Sequence, residues 1–387
     1  MVGNASEGSV NRAQMTPKIE PERLAERLAA LPGIERLREA AAGLPAYLVG
    51  GAVRDLLLGR DRADIDVAVE GEVAELARRL GGEVRAHERF DTAAVRVGGL
   101  EVDLAATRSE TYAHPGALPE VHPASLAADL ARRDFTVNAM AVPLAEDPEL
   151  IDPHRGLDDL QRGELRALHP RSFEDDPTRA LRAARYAARY RFALEQTTAE
   201  LIGRVDLSTV SRDRVEAELR KLAAEPQARL AFELLGEWGL LELSPGALEL
   251  AAAVGELTAA EPWLQVAPRK DAVFAAALGR GVAEARQLAS AEPARPSEAV
   301  ELARGRSGVE LALARALGAE WLDRYVTEWR WVRLEIDGRD LITEGVAEGP
   351  SLGRGLREAL RAKLDGEVDG RGEELRAAVA AARENAS

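Results

Sequence analysis

Ala46-Tyr47-Leu48-Val49-Gly50-Gly51-Ala52-Val53-Arg54-Asp55, followed by Asp64-Ile65-Asp66-Val67-Ala68-Val69, decides how the first part of this 387-residue chain folds. The apolar run Ala46 to Val49 reads as a buried strand, Gly50 and Gly51 as a turn, Ala52 to Leu58 as a helix and Asp64 to Val69 as a second strand. Val84 to Ala86, Ala93 to Val97 and Leu100 to Ala105 extend the sheet, with Gly98 and Gly99 as a hairpin turn between the last two. Beyond about residue 194, Ala, Leu, Glu and Arg dominate and strand signals stop. The expected fold is α+β, a small mixed-sheet head followed by all-α segments. The expected divisions are a flexible N-terminus (1–20), the head (21–145), a neck (146–205) and a helical body and tail (206–387).

Side chains two apart on a strand share a face, so Asp64 and Asp66 point away from Ile65, Val67 and Val69. Paired carboxylates offer the hard oxygen ligands that Mg²⁺ takes, with water and substrate phosphates completing its octahedron. Read alone, Asp-x-Asp also describes two solvated acids on a strand face. Alternation on Leu100-Glu101-Val102-Asp103-Leu104 adds Asp103 as a third acid opposite the apolar set; the competing reading makes it a surface partner of Arg96 or Arg108. The amides around Gly50 and Gly51 form a candidate phosphate cradle to which Arg54 adds charge, or else a tight turn with Arg54 and Asp55 as surface charges.

The formal charge of −15 argues against indiscriminate nucleic-acid coating, yet six arginines lie between Arg171 and Arg191. There is no cysteine, which excludes disulfides and thiolate chemistry. No segment has the length and apolarity of a membrane span or a signal peptide, so a cytoplasmic protein is expected. Thr107 to Ser125 reads as an irregular loop leading into a helix that carries Arg132 to Met140. On such a helix Asp134 and Asn138, four apart, would share a face. Asp176 before Pro177 suits a helix N-cap, and Arg179, Arg182 and Arg185, spaced by three, would keep to one side of that helix.

Leu48 to Asp55, then Asp64-Ile65-Asp66, then Arg132-Arg133-Asp134-Phe135-Thr136-Val137-Asn138-Ala139-Met140, in this order and spacing, resemble the bacterial class II tRNA nucleotidyltransferase and poly(A) polymerase family. The likeness runs from about residue 44 to about residue 192. It implies a nucleotidyltransferase head in which Asp64 and Asp66 are Mg²⁺ ligands; Asp103, read from strand alternation, joins them as the third candidate catalytic acid. Gly51 and Arg54 would meet the incoming nucleotide, with Gly50 beside them in the turn read as a phosphate cradle, and Arg133, Asp134 and Asn138 its triphosphate and ribose. Asp176, Arg179, Arg182 and Arg185 match the nucleotide-selecting helix, although Asp175 stands where the family commonly has Glu.

The selection has a chemical logic. Cytosine and adenine both place an amino donor beside a ring-nitrogen acceptor, so Asp176 accepting and Arg179 donating would read both and reject U and G. The implied reaction is template-independent addition of C and/or A from CTP and ATP to the 3′ end of tRNA, with release of pyrophosphate. CC-adding, A-adding and poly(A) activities stay open within the family, and a silent RNA-binding module is the reading from another class. The segment after Asp103, with Arg108, Glu110 and Tyr112, favours an enzyme able to add A. The helical C-terminal half would grip tRNA by shape and phosphate contacts. All five histidines precede residue 170, so no appended His-Asp phosphohydrolase site is expected.

Overall fold

The computed structural model describes residues 21–60, 65–87, 91–97, 99–145 and 148–384. The expectations for residues 1–20, for Asp64 and for Gly98 lie outside the described residues. The chain divides into two compact units, Met1–Glu218 with Glu237–Leu240, and Leu219–Gly236 with Leu241–Ser387.

The first unit opens with α1 (Leu24–Ala29) and α2 (Ile34–Ala41), which bury Leu28, Ile34 and Leu37. Then come β1 (Ala46–Val49), α3 (Gly51–Leu57), β2 (Ile65–Val69), α4 (Val73–Leu80), β3 (Glu83–His87), β4 (Thr92–Val97) and β5 (Leu100–Ala106). Next are β6 (Arg108–Thr111), β7 (Glu120–Pro123), α5 (Leu126–Ala131) and β8 (Ala141–Pro143). The main sheet runs β3-β4-β5-β2-β1-β8, parallel only between β2 and β5, so it is mixed as expected. Val73, Leu76, Ala77 and Leu80 recur at helical spacing, and α4 buries this stripe. Val67, Val102 and Leu104 are buried, whereas Asp103 is exposed, as alternation requires. Each fully buried Leu or Val contributes about 2 kcal/mol from apolar burial.

Two local expectations are corrected. Thr107 to Ser125 is largely a hairpin, with β6 and β7 paired antiparallel from Arg108↔Pro123 to Thr111↔Glu120. Thr107 closes its base, donating from Oγ1 to Ala124 O at 2.6 Å. Arg132 to Met140 is not a helix. α5 is capped by Ser125, whose Oγ accepts from Ala128 N, and ends before Arg132. Phe135 is extended and fully buried, bridges Ala167 and packs against Phe173 and Tyr186. Thr136 N donates to Arg166 O at 2.9 Å, and only Thr136–Asn138 coils, as a 3-10 turn. Burial of the Phe135 ring and this pairing outweigh the helical spacing seen in the sequence.

The chain continues with α6 (Gly156–Arg162), β9 (Glu164–Leu165), α7 (Ser172–Asp175), α8 (Thr178–Tyr190), β10 (Ala193–Leu194), α9 (Gln196–Ile202) and α10 (Arg212–Ala223). Gly156 permits a close approach, since a Cβ there would lie 2.2 Å from Thr136 O. β10 is the last described strand, close to where strand signals fade in the sequence. The described elements of the second unit are helical, ending in Pro350–Leu364 and Gly370–Arg383. These two approach at Gly355, where a Cβ would meet Ala378 O at 2.4 Å. Among the described residues no helix is long and apolar enough to cross a membrane.

Candidate active site

Asp66 on β2 and Asp103 on β5 are register partners across the parallel pair, so their side chains leave the same face of the sheet. Asp66 is half-buried and lines a cavity of 640 Å³; Asp103 is exposed and stands outside the lining. Arg96 pairs with Glu101 at 2.9 Å and Arg108 with Glu110 at 3.2 Å. Among the described residues no three His, Asp or Glu side chains group as a metal site. Asp66 and Asp103 form a two-carboxylate set, with Asp64 outside the described residues. Hard oxygen donors on adjacent strands fit a divalent cation of the Mg²⁺ type.

The turn after β1 meets the segment after α5 at the cavity wall. Gly50 has φ +65°, and a Cβ there would lie 2.5 Å from Arg133 Nη1, so glycine alone allows this approach. Arg133 is fixed by Asp129, which also holds Arg132, at 2.7 and 2.6 Å. Burial would raise the Asp129 carboxyl, but Arg133 and Arg132 outweigh it and hold it below the ordinary range. Arg54 is buried and donates to Asp55 (3.0 Å), to Asn138 Oδ1 and to the Tyr190 hydroxyl, with its guanidinium over the Tyr190 and Tyr186 rings. Gly51 begins α3 beside Arg54.

Asn138 turns back to donate from Nδ2 to Asp134 Oδ1 at 2.9 Å, so the two residues meet without a shared helix face. The other Asp134 oxygen accepts from Arg182 at 2.7 Å, and Arg182 also donates to the Tyr186 hydroxyl at 2.9 Å. Burial pushes the Asp134 carboxyl up, yet Arg182 and the Asn138 amide hold it down at about 2. Asp134 in turn raises Arg182. The result is one continuous chain, Arg54, Asn138, Asp134, Arg182 and Tyr186, running from α3 to α8.

Asp176, just before α8, and Arg179, Arg182 and Arg185 on it all line the cavity. Arg179 is buried, donating to Ser172 Oγ at 2.8 Å and to Arg132 O at 2.7 Å. Asp176 Oδ1 accepts from Thr178 N and Oγ1, while the N-cap of α8 is Pro177 and not the Asp176 expected from the sequence. Asp176 Oδ1 also accepts from Arg214 of α10 at 3.0 Å. Arg185 lies over the Tyr186 ring. Among the described residues nine arginines line the cavity against six acids, so this wall is locally cationic in an acidic chain.

Sequence reading missed Asp129, Tyr186, Tyr190 and Arg214. Tyr186 and Tyr190 stand four and eight residues after Arg182, on the same helical stripe, so their spacing carried a usable signal. Asp129 stands three and four residues before the arginines it holds, a local spacing that was also readable, whereas Arg214 reaches the site only through tertiary packing and had no local signature.

Residues 46–166 match the model of the Poly A polymerase head domain. An A-adding tRNA nucleotidyltransferase of Aquifex aeolicus (strain VF5) is 43% identical over 209 residues, 51% of this chain and 25% of that protein. A CC-adding tRNA nucleotidyltransferase of Deinococcus radiodurans is 42% identical over 219 residues, 54% of this chain and 58% of that protein. The alignments thus span a quarter to somewhat over half of these relatives' lengths. The solved structure of the Thermotoga maritima CCA-adding enzyme complexed with tRNA superposes with a TM-score of 0.70 at 27% identity, covering 92% of this chain and 98% of that one. Residues 46–166 are thus matched to a Poly A polymerase head domain, and the chain is similar in sequence and fold to tRNA nucleotidyltransferases.

Proposed function

We propose that the protein is a nucleotidyltransferase that adds C and/or A from CTP and ATP to the 3′ end of tRNA, without a template. The observation that carries this reading is the register of Asp66 with Asp103 beside a cavity lined by arginines. The primer's terminal 3′ oxygen bonds to the α-phosphorus, the bond from that phosphorus to the bridging oxygen breaks, and pyrophosphate leaves. Asp66 and Asp103, together with Asp64, would hold Mg²⁺, which when bound neutralises charge developing on the phosphates. Arg133, held in place by Asp129, and Arg182 supply cationic contacts for the triphosphate. Asp134 and Asn138 face the ribose hydroxyls, and Asp176 with Arg179 reads the base.

In this reading the head (21–145) does the chemistry, the neck (146–205) selects the nucleotide, and the helices beyond (206–387) hold the RNA in the cytoplasm. One relative named A-adding and one named CC-adding match this chain at 43% and 42% identity, so the nucleotides added are set by experiment. Transcripts of one tRNA ending before, within and after CCA, incubated with CTP, ATP or both, read the activity directly. Extension confined to transcripts lacking part of CCA supports tRNA end completion. Indefinite A tails would replace it with poly(A) synthesis, and no extension of any transcript would refute the reading.

A further inference from the structure

We propose that Arg214 is a specificity-determining positioning residue that dictates which Asp176 oxygen is offered to the base. This rests on the reading of Asp176 as the base acceptor. Asp176 Oδ1 is saturated by three donors, Thr178 N at 3.0 Å, Thr178 Oγ1 at 2.6 Å and Arg214 Nη2 at 3.0 Å. Among the described residues no hydrogen bond reaches Oδ2, and Asp176 lines the cavity. A carboxylate pinned through one oxygen presents the other in a fixed direction, as reading a single exocyclic amino group requires.

Thr178 lies only two residues away and moves with Asp176, so it cannot anchor the carboxylate against the rest of the fold. Arg214 can, because its guanidinium is planar and spans two acceptors from another helix. Its Nη1 donates to Gly116 O at 2.9 Å. Gly116 in turn donates from its N to Glu174 O at 3.0 Å, two residues before Asp176. Gly116 has φ +73°, and a Cβ there would stand 2.5 Å from Thr209 O, so the connection between β6 and β7 is seated tightly at this point. Arg214 therefore closes a triangle between that connection, the junction of α7 with α8, and α10.

The test compares full-length wild type with Arg214→Gln and Arg214→Lys. Equilibrium binding of CTP, UTP, ATP and GTP without RNA gives the C:U and A:G affinity ratios. Inorganic tripolyphosphate, the base-free probe, gives the phosphate affinity. Both ratios are expected to fall about tenfold in Arg214→Gln, the equivalent of one misplaced hydrogen bond. The lysine variant, which cannot span both acceptors, should fall between, and tripolyphosphate affinity should stay within about twofold. Should Arg214→Gln fail to fold, the lysine variant carries the same comparison. Wild-type ratios in the variants, or a parallel loss of tripolyphosphate affinity, would overturn the role. If wild type extends tRNA while the variants keep its ratios, the inference alone falls; if wild type shows no base preference, the base-reading role of Asp176 falls with it.

Discussion

Asp134 and Arg182 stand 2.7 Å apart, and this ion pair joins the segment after α5 to α8. Asp134 is buried and has both oxygens engaged, by Arg182 and by Asn138. Removing the carboxylate leaves a mostly buried guanidinium without its partner, whereas hydrophobic packing elsewhere is untouched. Asp134→Ala is expected to lower unfolding free energy by about 3 kcal/mol, read by urea denaturation. A midpoint unchanged from wild type would show the pair to be incidental.

The same pair gives the fold an acid limit. The Asp134 carboxyl sits at about 2 in the folded chain, below its ordinary 3.8. A depressed carboxyl stabilises the fold above the unfolded value and loses that contribution as pH falls through the folded one. Stability from Asp134 is therefore complete above about pH 4 and disappears between about pH 4 and 2, on the order of 2 kcal/mol. Denaturation midpoints across this range should fall more steeply for wild type than for Asp134→Asn. Parallel curves would contradict the coupling.

Gly50 is constrained twice, by φ +65° and by Arg133 Nη1 in the space a Cβ would fill. Gly50→Ala should cost about 1–3 kcal/mol in backbone strain and shift Arg133 off the cavity wall. Nucleotide affinity, measured by equilibrium binding of ATP, is expected to weaken about tenfold with it. Strain without loss of affinity would show that Arg133 does not contact the triphosphate.

Much of the head was legible because strand alternation and the Gly50-Gly51 turn are local signals. Asp66 and Asp103 could be placed on one face by counting residues. Their adjacency depends on β2 pairing in parallel with β5, and that follows from the topology. The helix expected through Asp134 and Asn138 failed for a related reason, since Phe135 is drawn into an extended bridge by a core that local spacing does not describe. The hairpin of β6 and β7 was hidden because Pro115, Gly116 and Pro119 at its tip gave the whole stretch a loop-like composition. Arg214 reaches Asp176 across 38 positions of sequence, a distance at which periodicity carries no information.

Arg179 carries two duties that one substitution separates. It is buried, anchored on Ser172 and on the Arg132 carbonyl, and it lines the cavity. Arg179→Ala should destabilise the protein by about 1–3 kcal/mol through the unpaired groups it leaves, and it should also relax or abolish CTP and ATP selection. Primer extension with each of the four triphosphates, run well below the variant's melting temperature, checks the second effect. Undiminished rejection of UTP and GTP would confine Arg179 to a structural role.

The central claim is that Asp66 and Asp103 act together at the polymerising centre. Asp103 is exposed, so Asp103→Asn should change stability by no more than about 0.5 kcal/mol. Incorporation of labelled ATP and CTP into a tRNA transcript lacking its 3′ terminus should then be compared for wild type, Asp66→Asn and Asp103→Asn, each confirmed folded. The account predicts vigorous incorporation by wild type and a loss of at least about a thousandfold in each variant. Incorporation at the wild-type rate by a folded Asp66→Asn or Asp103→Asn protein would contradict it.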